Sequence, residues 1–174
     1  QWFQAEGLEP VEELTWHRSN AFDQVKAEVE AVRGGVGLME TTGFAKFEFS
    51  GPGARGFLGR VLAGRIPQPG RMALTPMTNA SGKLIGDLTV ACLGPATGEA
   101  EGPLSTITGG ATANIDHNER FFVFGSGIAE RYYQRHFDQE LSVWHGAGNE
   151  PAQYVTHGYE LTGLSIAGPA SRQL

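Results

Sequence analysis

The stretch Leu74–Leu93, LTPMTNASGKLIGDLTVACL, limits what this chain can fold into more than any other. Two runs of strand-forming residues flank Asn79-Ala80-Ser81-Gly82, where small polar side chains and a glycine let the backbone reverse. The stretch therefore reads as a β-hairpin. Side chains alternate between the two faces of a strand. Past the turn, Leu84, Leu88, Val90 and Cys92 fall on one face, with Gly86 as a gap, and Ile85, Asp87, Thr89 and Ala91 fall on the other. The first is a core face. The second carries a single carboxylate, Asp87, among small and apolar neighbours, with no Lys or Arg within two residues of it.

A carboxylate in such surroundings is expected to lose hydration. Its charged form is then disfavoured, which suits it to taking up a proton during chemistry. The same alternation also fits an edge-strand aspartate that faces water and discourages sheet-to-sheet pairing. Pro76 favours an edge, because proline removes a ladder donor from the first strand. Alternation alone leaves both readings open.

The flanking chain reads as strand–helix units. Ser19 or Asn20 caps a helix in which Phe22, Val25, Val29 and Val32 recur at helical spacing, with Asp23 in the first turn and Gly34-Gly35 as the stop. A strand follows from Gly43 to Phe49, with Phe47 and Phe49 on one face and Lys46 and Glu48 on the other. Ser50-Gly51-Pro52 opens a second helix with a buried stripe of Phe57, Leu58, Val61 and Leu62, and Pro67 and Pro69 break the chain before the hairpin. Beyond the hairpin, Gly94 to Glu119 is rich in Gly, Ala, Thr and Ser and too long for an ordinary connection, so a loop insertion is expected at 94–119. Asp116-His117 within it has no partner cluster at ligand spacing, and no metal site is assigned. Phe121 to Phe124 then reads as a buried strand, followed by Gly125-Ser126-Gly127 and a helix with Ile128, Tyr132, His136 and Phe137 on one face. That turn lacks the fuller glycine pattern of a phosphate cradle and reads as a helix cap. The histidines pair with no Cys or Ser nucleophile and read as packing or hydrogen-bonding groups.

The chain also echoes itself. Phe47–Arg55 and Leu164–Arg172 share their apolar positions, a Gly-Pro pair and the final Arg at a constant offset of 117. Each copy reads as a strand running into a helix with proline in its first turn. The second helix has barely begun at Leu174, and so short a helix is marginal alone, so the chain is expected to be a fragment of a longer protein. Together the elements predict an α+β domain of split βαβ type.

Bulk properties exclude several classes of partner. The net charge is −6, the pI is near 5.3 and no basic stripe is present, which argues against nucleic acid. The apolar runs are too short to span a bilayer, and the start has no signal-peptide pattern, so no membrane partner is expected. A single cysteine, Cys92, cannot form an internal disulfide, and on a core face it reads as an inert thiol.

Three segments carry a family resemblance: GVGLMETTGFAKFEFSGPGA (Gly35–Ala54), TPMTNASGKLIGDLTV within the hairpin, and FFVFGSGIAERYYQRHF (Phe121–Phe137). In this order they resemble the folate-binding aminomethyltransferase family, whose archetype is the T-protein of the glycine cleavage system. They look closest to the C-terminal folate domain of dimethylglycine and sarcosine dehydrogenase-like flavoenzymes. The resemblance covers most of the chain outside about Gly94–Glu119.

What it implies is specific. The fold is the first part of the aminomethyltransferase fold, of split βαβ (ferredoxin-like) type and truncated. Residues 1–18, with Trp2-Phe3, are a connector from a preceding, absent flavin domain, and 19–174 are the N-terminal portion of the folate domain. The parent holds FAD in that flavin domain, which lies in cis and oxidises a small-molecule N-methyl amine. The folate domain binds tetrahydrofolate and captures the released one-carbon unit as a methylene group. By resemblance, Asp87 is the acid/base group acting on a folate nitrogen, and Phe44, Leu74 and Thr89 line the pterin pocket with it. The T-protein has two acids where this chain has Gly86-Asp87, and the flavin-fused subfamily shares the loss of the first. The fragment alone is expected to be inactive. The expected compartment is the cytoplasm, or the mitochondrial matrix in a eukaryote. Two alternatives stay open: a stand-alone aminomethyltransferase of the glycine cleavage type, and a non-catalytic folate-binding module in which Asp87 only holds the pterin.

Overall fold

The computed structural model describes residues 6, 7, 9, 11–95 and 119–174. Trp2, Phe3, Asp116, His117 and the body of the loop expected at 94–119 lie outside them. In chain order the elements are α1 (Phe22–Gly34), β1 (Gly37–Glu40), β2 (Ala45–Ser50), α2 (Ala54–Val61), β3 (Met72–Thr78), β4 (Leu84–Pro95), β5 (Glu119–Gly125), α3 (Glu130–Gly146), β6 (Gln153–Thr156) and β7 (Leu164–Ala167). They group into two units, one from residues 43–161 and one from 1–42 with 162–174.

The larger unit holds a five-stranded sheet of order β3-β4-β5-β2-β6 with antiparallel neighbours throughout. β2 and β4 therefore run parallel with β5 between them, and β5 and β6 run parallel with β2 between them. Helix α2 follows the first strand of one such pair, and α3 joins the two strands of the other. This is the expected split βαβ arrangement, with β3 added as an edge strand. Pro76 sits on that edge, where its missing N–H costs no ladder bond, and its carbonyl accepts from Ala63 N–H at 2.8 Å.

One face of the sheet is sealed by α2 and α3. Alternation along β2 and β5 sends Phe47, Phe49, Phe121 and Val123 inward, all fully buried. Phe137 of α3 meets Phe47 and Phe49 edge-on at 5.2 and 5.0 Å, and Phe57 of α2 stacks on Phe49 at 5.8 Å. The stripe expected on α2, Phe57, Leu58, Val61 and Leu62, is buried. Beside the sheet, Arg55 holds the Glu119 carboxylate with two nitrogens, donates to the Pro67 carbonyl at 2.9 Å, and lies 3.6 Å from Cys92 Sγ. Burial pushes the Cys92 thiol above its ordinary pKa, which fits an inert core thiol.

The hairpin forms as expected. Asn79 Oδ1 accepts from the N–H groups of Ser81 and Lys83, both at 3.0 Å, and Gly82 takes a positive φ of 74°. Leu88, Val90 and Cys92 are buried, but Leu84 is 63% exposed, contrary to expectation. Met77 pairs with Gly86 and Thr78 with Leu84, which leaves Ile85 as an extra residue. That bulge turns Leu84 out and lets Ile85 pack against the core. Helix α3 departs too. Tyr133 and Phe137 are its buried pair, whereas Ile128 and Tyr132 are exposed. The chain enters α3 through a 3-10 turn at Gly127–Ala129, whose tighter winding shifts the phase of the buried stripe.

In the smaller unit, β1 pairs with β7. The four-residue strand β1 was not expected, nor was β6 in the larger unit. Helix α1 stops at Gly34-Gly35 as expected, but its N-cap is Ala21, not Ser19 or Asn20, and it has no side-chain cap: Asn20 bonds back to Glu13 and Val11 instead. None of its residues is buried, and Phe22, Val25 and Val29 are exposed, so the expected scaffold stripe is present but uncovered. The sequence echo has a structural counterpart. Gly51 and Gly168 both take positive φ, 102° and 114°, as β2 and β7 end, and each strand runs on into a helical turn.

Candidate functional site

The face of the five-stranded sheet turned away from α2 and α3 gathers the residues singled out from the sequence. β4 presents Asp87, Thr89 and Ala91 there. Leu74 on β3 pairs directly with Thr89, and Pro76 with Asp87. Asp87 and Thr89 lie two residues apart on one strand, about 6.7 Å along it. On the other side of β4, Phe124 of β5 pairs with Thr89 and Phe122 with Ala91. Leu74 is 73% exposed and Thr89 half-buried.

Asp87 itself is exposed. Of the two readings left open by alternation this is the one that faces water: among the described residues of the larger unit, no element covers the face beside it. Among the described residues its side chain makes no hydrogen bond or ion pair. It is an exposed carboxylate on an inner strand of the sheet. Its placement depends on a close approach just behind it. A Cβ on Gly86 would fall 2.5 Å from Tyr133 Oη, and one on Gly125 would fall 2.5 Å from Leu88 Cδ2, so both glycines make room for Tyr133 under the strand.

Phe44 precedes β2 and is 51% exposed. β2 and β5 pair Ala45 with Gly125, which sets Phe44 beside Ser126 at the Asp87 end of the face. A Cβ on Gly127 would fall 1.9 Å from the Gly43 carbonyl oxygen, so this end of the sheet closes only with glycine there. The Gly125-Ser126-Gly127 turn serves that contact and leads into α3 without a side-chain cap.

The face also carries groups to which sequence reasoning gave no role. Phe122 and Phe124 stack at 5.7 Å with 14° between ring planes, and the His157 imidazole stacks on Phe122 at 5.5 Å and 25°. Glu48 Oε1 accepts from Arg120 Nε at 2.7 Å, and its Oε2 lies 3.0 Å from His157 Nε2. The Lys46 ammonium, 3% exposed, donates to the carbonyls of Phe44 and Gly158 at 3.0 and 2.9 Å. Alternation had put Lys46 and Glu48 opposite the core phenylalanines, which was the one available signal. The apolar run at Phe121–Phe124 read as wholly buried, and that masked its second face.

A G-x-G-x-x-G string, Gly51–Gly56, stands between β2 and α2. It does not fit a dinucleotide. Cβ atoms on Gly51 and Gly53 would fall 2.6 Å from the Pro151 carbonyl oxygen and 2.1 Å from that of Glu150, and one on Gly56 would fall 2.9 Å from the Trp144 ring. These glycines admit protein, and no FAD contact is assigned to them. Among the described residues no three His, Cys, Asp or Glu side chains gather as a metal-holding group, and no helix is long and apolar enough to cross a membrane.

Comparison with known proteins bears on what such a face does. Residues 1–97, more than half of the chain, match the model of the GCVT N-terminal domain. An aminomethyltransferase from Desulforamulus reducens is 33% identical over 88 residues, 49% of this chain and 24% of that protein. Mitochondrial dimethylglycine dehydrogenase from Mus musculus is 25% identical over 173 residues, 99% of this chain and 17% of that protein. A formaldehyde-forming 4-methylaminobutanoate oxidase from Paenarthrobacter nicotinovorans is 43% identical over 53 residues, 30% of this chain and 6% of that protein. The chain thus spans about a quarter or less of the length of these relatives. Among solved structures, the glycine cleavage system aminomethyltransferase T from Bartonella henselae superposes with a TM-score of 0.59 at 16% identity, over 86% of this chain and 34% of that one. At that identity the likeness is one of fold.

Proposed function

The chain belongs to the family of the GCVT N-terminal domain, and from that premise we propose that its open sheet face binds tetrahydrofolate during capture of a one-carbon unit as a methylene group. Bound tetrahydrofolate would supply the amine nitrogens to which that carbon attaches. The residues present fit such a ligand. A reduced pterin offers N–H donors and flat apolar faces; here Asp87, a carboxylate with no partner among the described residues, stands two residues from Thr89, which Leu74 and Phe124 flank.

Asp87 is the single feature on which the reading turns. Its carboxylate accepts the proton from a folate N–H, which raises the nitrogen's nucleophilicity, and returns it later in the cycle. A base must reach hydrogen-bonding distance of that nitrogen, and a side chain on a central strand is held more firmly than one on a loop. Its exposure leaves it open to a ligand's N–H groups. Leu74 and Thr89 would hold the pterin with Asp87, and Phe44 would close the site from the β2 side.

The wider setting proposed is a dimethylglycine or sarcosine dehydrogenase-like demethylating flavoenzyme. In it, residues 1–18 connect to a flavin domain in cis, residues 19–174 open the folate domain, and the insertion expected at 94–119 narrows to 96–118, because Gly94 and Pro95 belong to β4 and Glu119 to β5. Alignment with the mouse dehydrogenase along 99% of this chain favours that setting. The match to an aminomethyltransferase keeps a stand-alone transferase as the second reading.

Titration of the full-length protein with tetrahydrofolate should show saturable binding. Asp87→Asn should abolish one-carbon transfer to folate while leaving amine oxidation intact. Transfer at the wild-type rate in that variant would remove Asp87 from the mechanism.

A further inference from the structure

We propose that Glu48 is a positioning residue of this site: it holds His157 flat against Phe122 and so fixes the ring ladder that ends at Phe124 beside Thr89. The inference rests on the folate reading of the open face and adds to it a group that touches no ligand.

Glu48 lies directly across from Phe122 on β5 and from Val155 on β6. Both of its oxygens are engaged, one by Arg120 and the other by His157, and all three side chains are largely buried. His157 is held at three points: its backbone N–H donates to the Lys46 carbonyl at 2.9 Å, its ring Nε2 meets Glu48, and its ring plane rests on Phe122. Lys46 secures the same segment from below by donating to the Gly158 carbonyl. β2 thus fixes the position that follows β6, and through it the imidazole.

None of the three side chains belongs to the aromatic core, which lies on the other face among Phe47, Phe49 and Phe137. Burying three ionisable side chains is at best a weak source of stability. What they do order is the pair of half-buried rings, Phe122 and Phe124, whose far end adjoins Thr89 and, two residues on, Asp87. Rings fixed before a flat ligand arrives spare the entropy of ordering them on binding.

The test compares His157→Leu, His157→Phe, Glu48→Gln and Asp87→Asn in the full-length protein, titrated with 5-formyltetrahydrofolate, with thermal unfolding of each recorded. His157→Leu should weaken binding about 3–10-fold through lost preorganisation. His157→Phe keeps a flat ring on Phe122 and should restore affinity to within about twofold. In the NMR spectrum of Glu48→Gln, the His157 ring protons should move downfield as the imidazole loses the shielding of Phe122. Equal losses in the Leu and Phe variants, or wild-type affinity in both, would overturn the inference. If Asp87→Asn weakens binding in either case, the folate reading survives that failure. Absence of binding by the wild type would defeat the folate reading and this inference with it.

Discussion

The two faces of the five-stranded sheet are built from the same strands by the same alternation, yet they do different work. On the helix side, Phe47, Phe49, Phe121, Val123, Leu88 and Val90 are fully buried, and the buried Glu119 carboxylate is held by Arg55. On the open side stand a bare carboxylate, a threonine, an exposed leucine and a short ladder of rings. A sheet that stakes its stability on one face leaves the other free to carry polar groups in exposed positions. The difference predicts that substitutions on the first face are read in unfolding, and substitutions on the second in ligand affinity.

The largest effect on stability should come from the sealed face. Phe49→Ala removes a ring in contact with Phe57, Phe137 and Tyr154 and should cost about 3–5 kcal/mol in denaturant unfolding. Gly86→Val should be felt on both faces at once. Its side chain meets the Tyr133 ring, so a loss of about 1–3 kcal/mol is expected, together with weaker folate binding as Asp87 shifts. Leu74→Ser should sharpen the contrast from the open side: stability within about 0.5 kcal/mol of wild type, but reduced folate affinity by calorimetry.

The smallest effect, absent at neutral pH, concerns Tyr154. Burial, helped by its hydrogen bond to Asp138 at 2.7 Å, pushes its phenol well above the ordinary value near 10. The folded chain then keeps a proton that the unfolded chain releases. Stability is accordingly full below about pH 10 and falls as pH rises beyond it. Tyr154→Phe should flatten that alkaline decline in urea melts taken from pH 8 to 11.

How much of this was legible depended on where the determining interaction lay. The hairpin, β2 and α2 were readable because their signals are local: period-two alternation, an Asn-to-Gly turn, and a proline just before a helix. Alternation put Asp87 and Thr89 on one face, whereas Leu74 came only from the family resemblance, and its place opposite Thr89 is set by the hairpin register. The bulge at Ile85 was not readable, because an extra residue in an apolar strand leaves no mark in composition. β1 and β6, four residues each, exist through pairing with strands far along the chain. The Glu48–His157 contact joins positions 109 residues apart through the strand order, which no spacing rule contains. Alternation left Asp87 either dehydrated or facing water, and its exposure fits the second, though on β4, inside the sheet, and not on the edge strand β3. Alternation tells which face a side chain takes but not whether that face is covered.

The division between the faces is tested most directly by thermal unfolding of wild type and Asp87→Asn, each with and without saturating tetrahydrofolate. The account predicts that ligand raises the wild-type Tm, since only the folded state binds it. Without ligand, Asp87→Asn should melt within about 2 °C of wild type, as an exposed substitution should, and its ligand-induced rise should be much reduced. A variant that melts far lower without ligand, or one whose rise equals that of wild type, would contradict it.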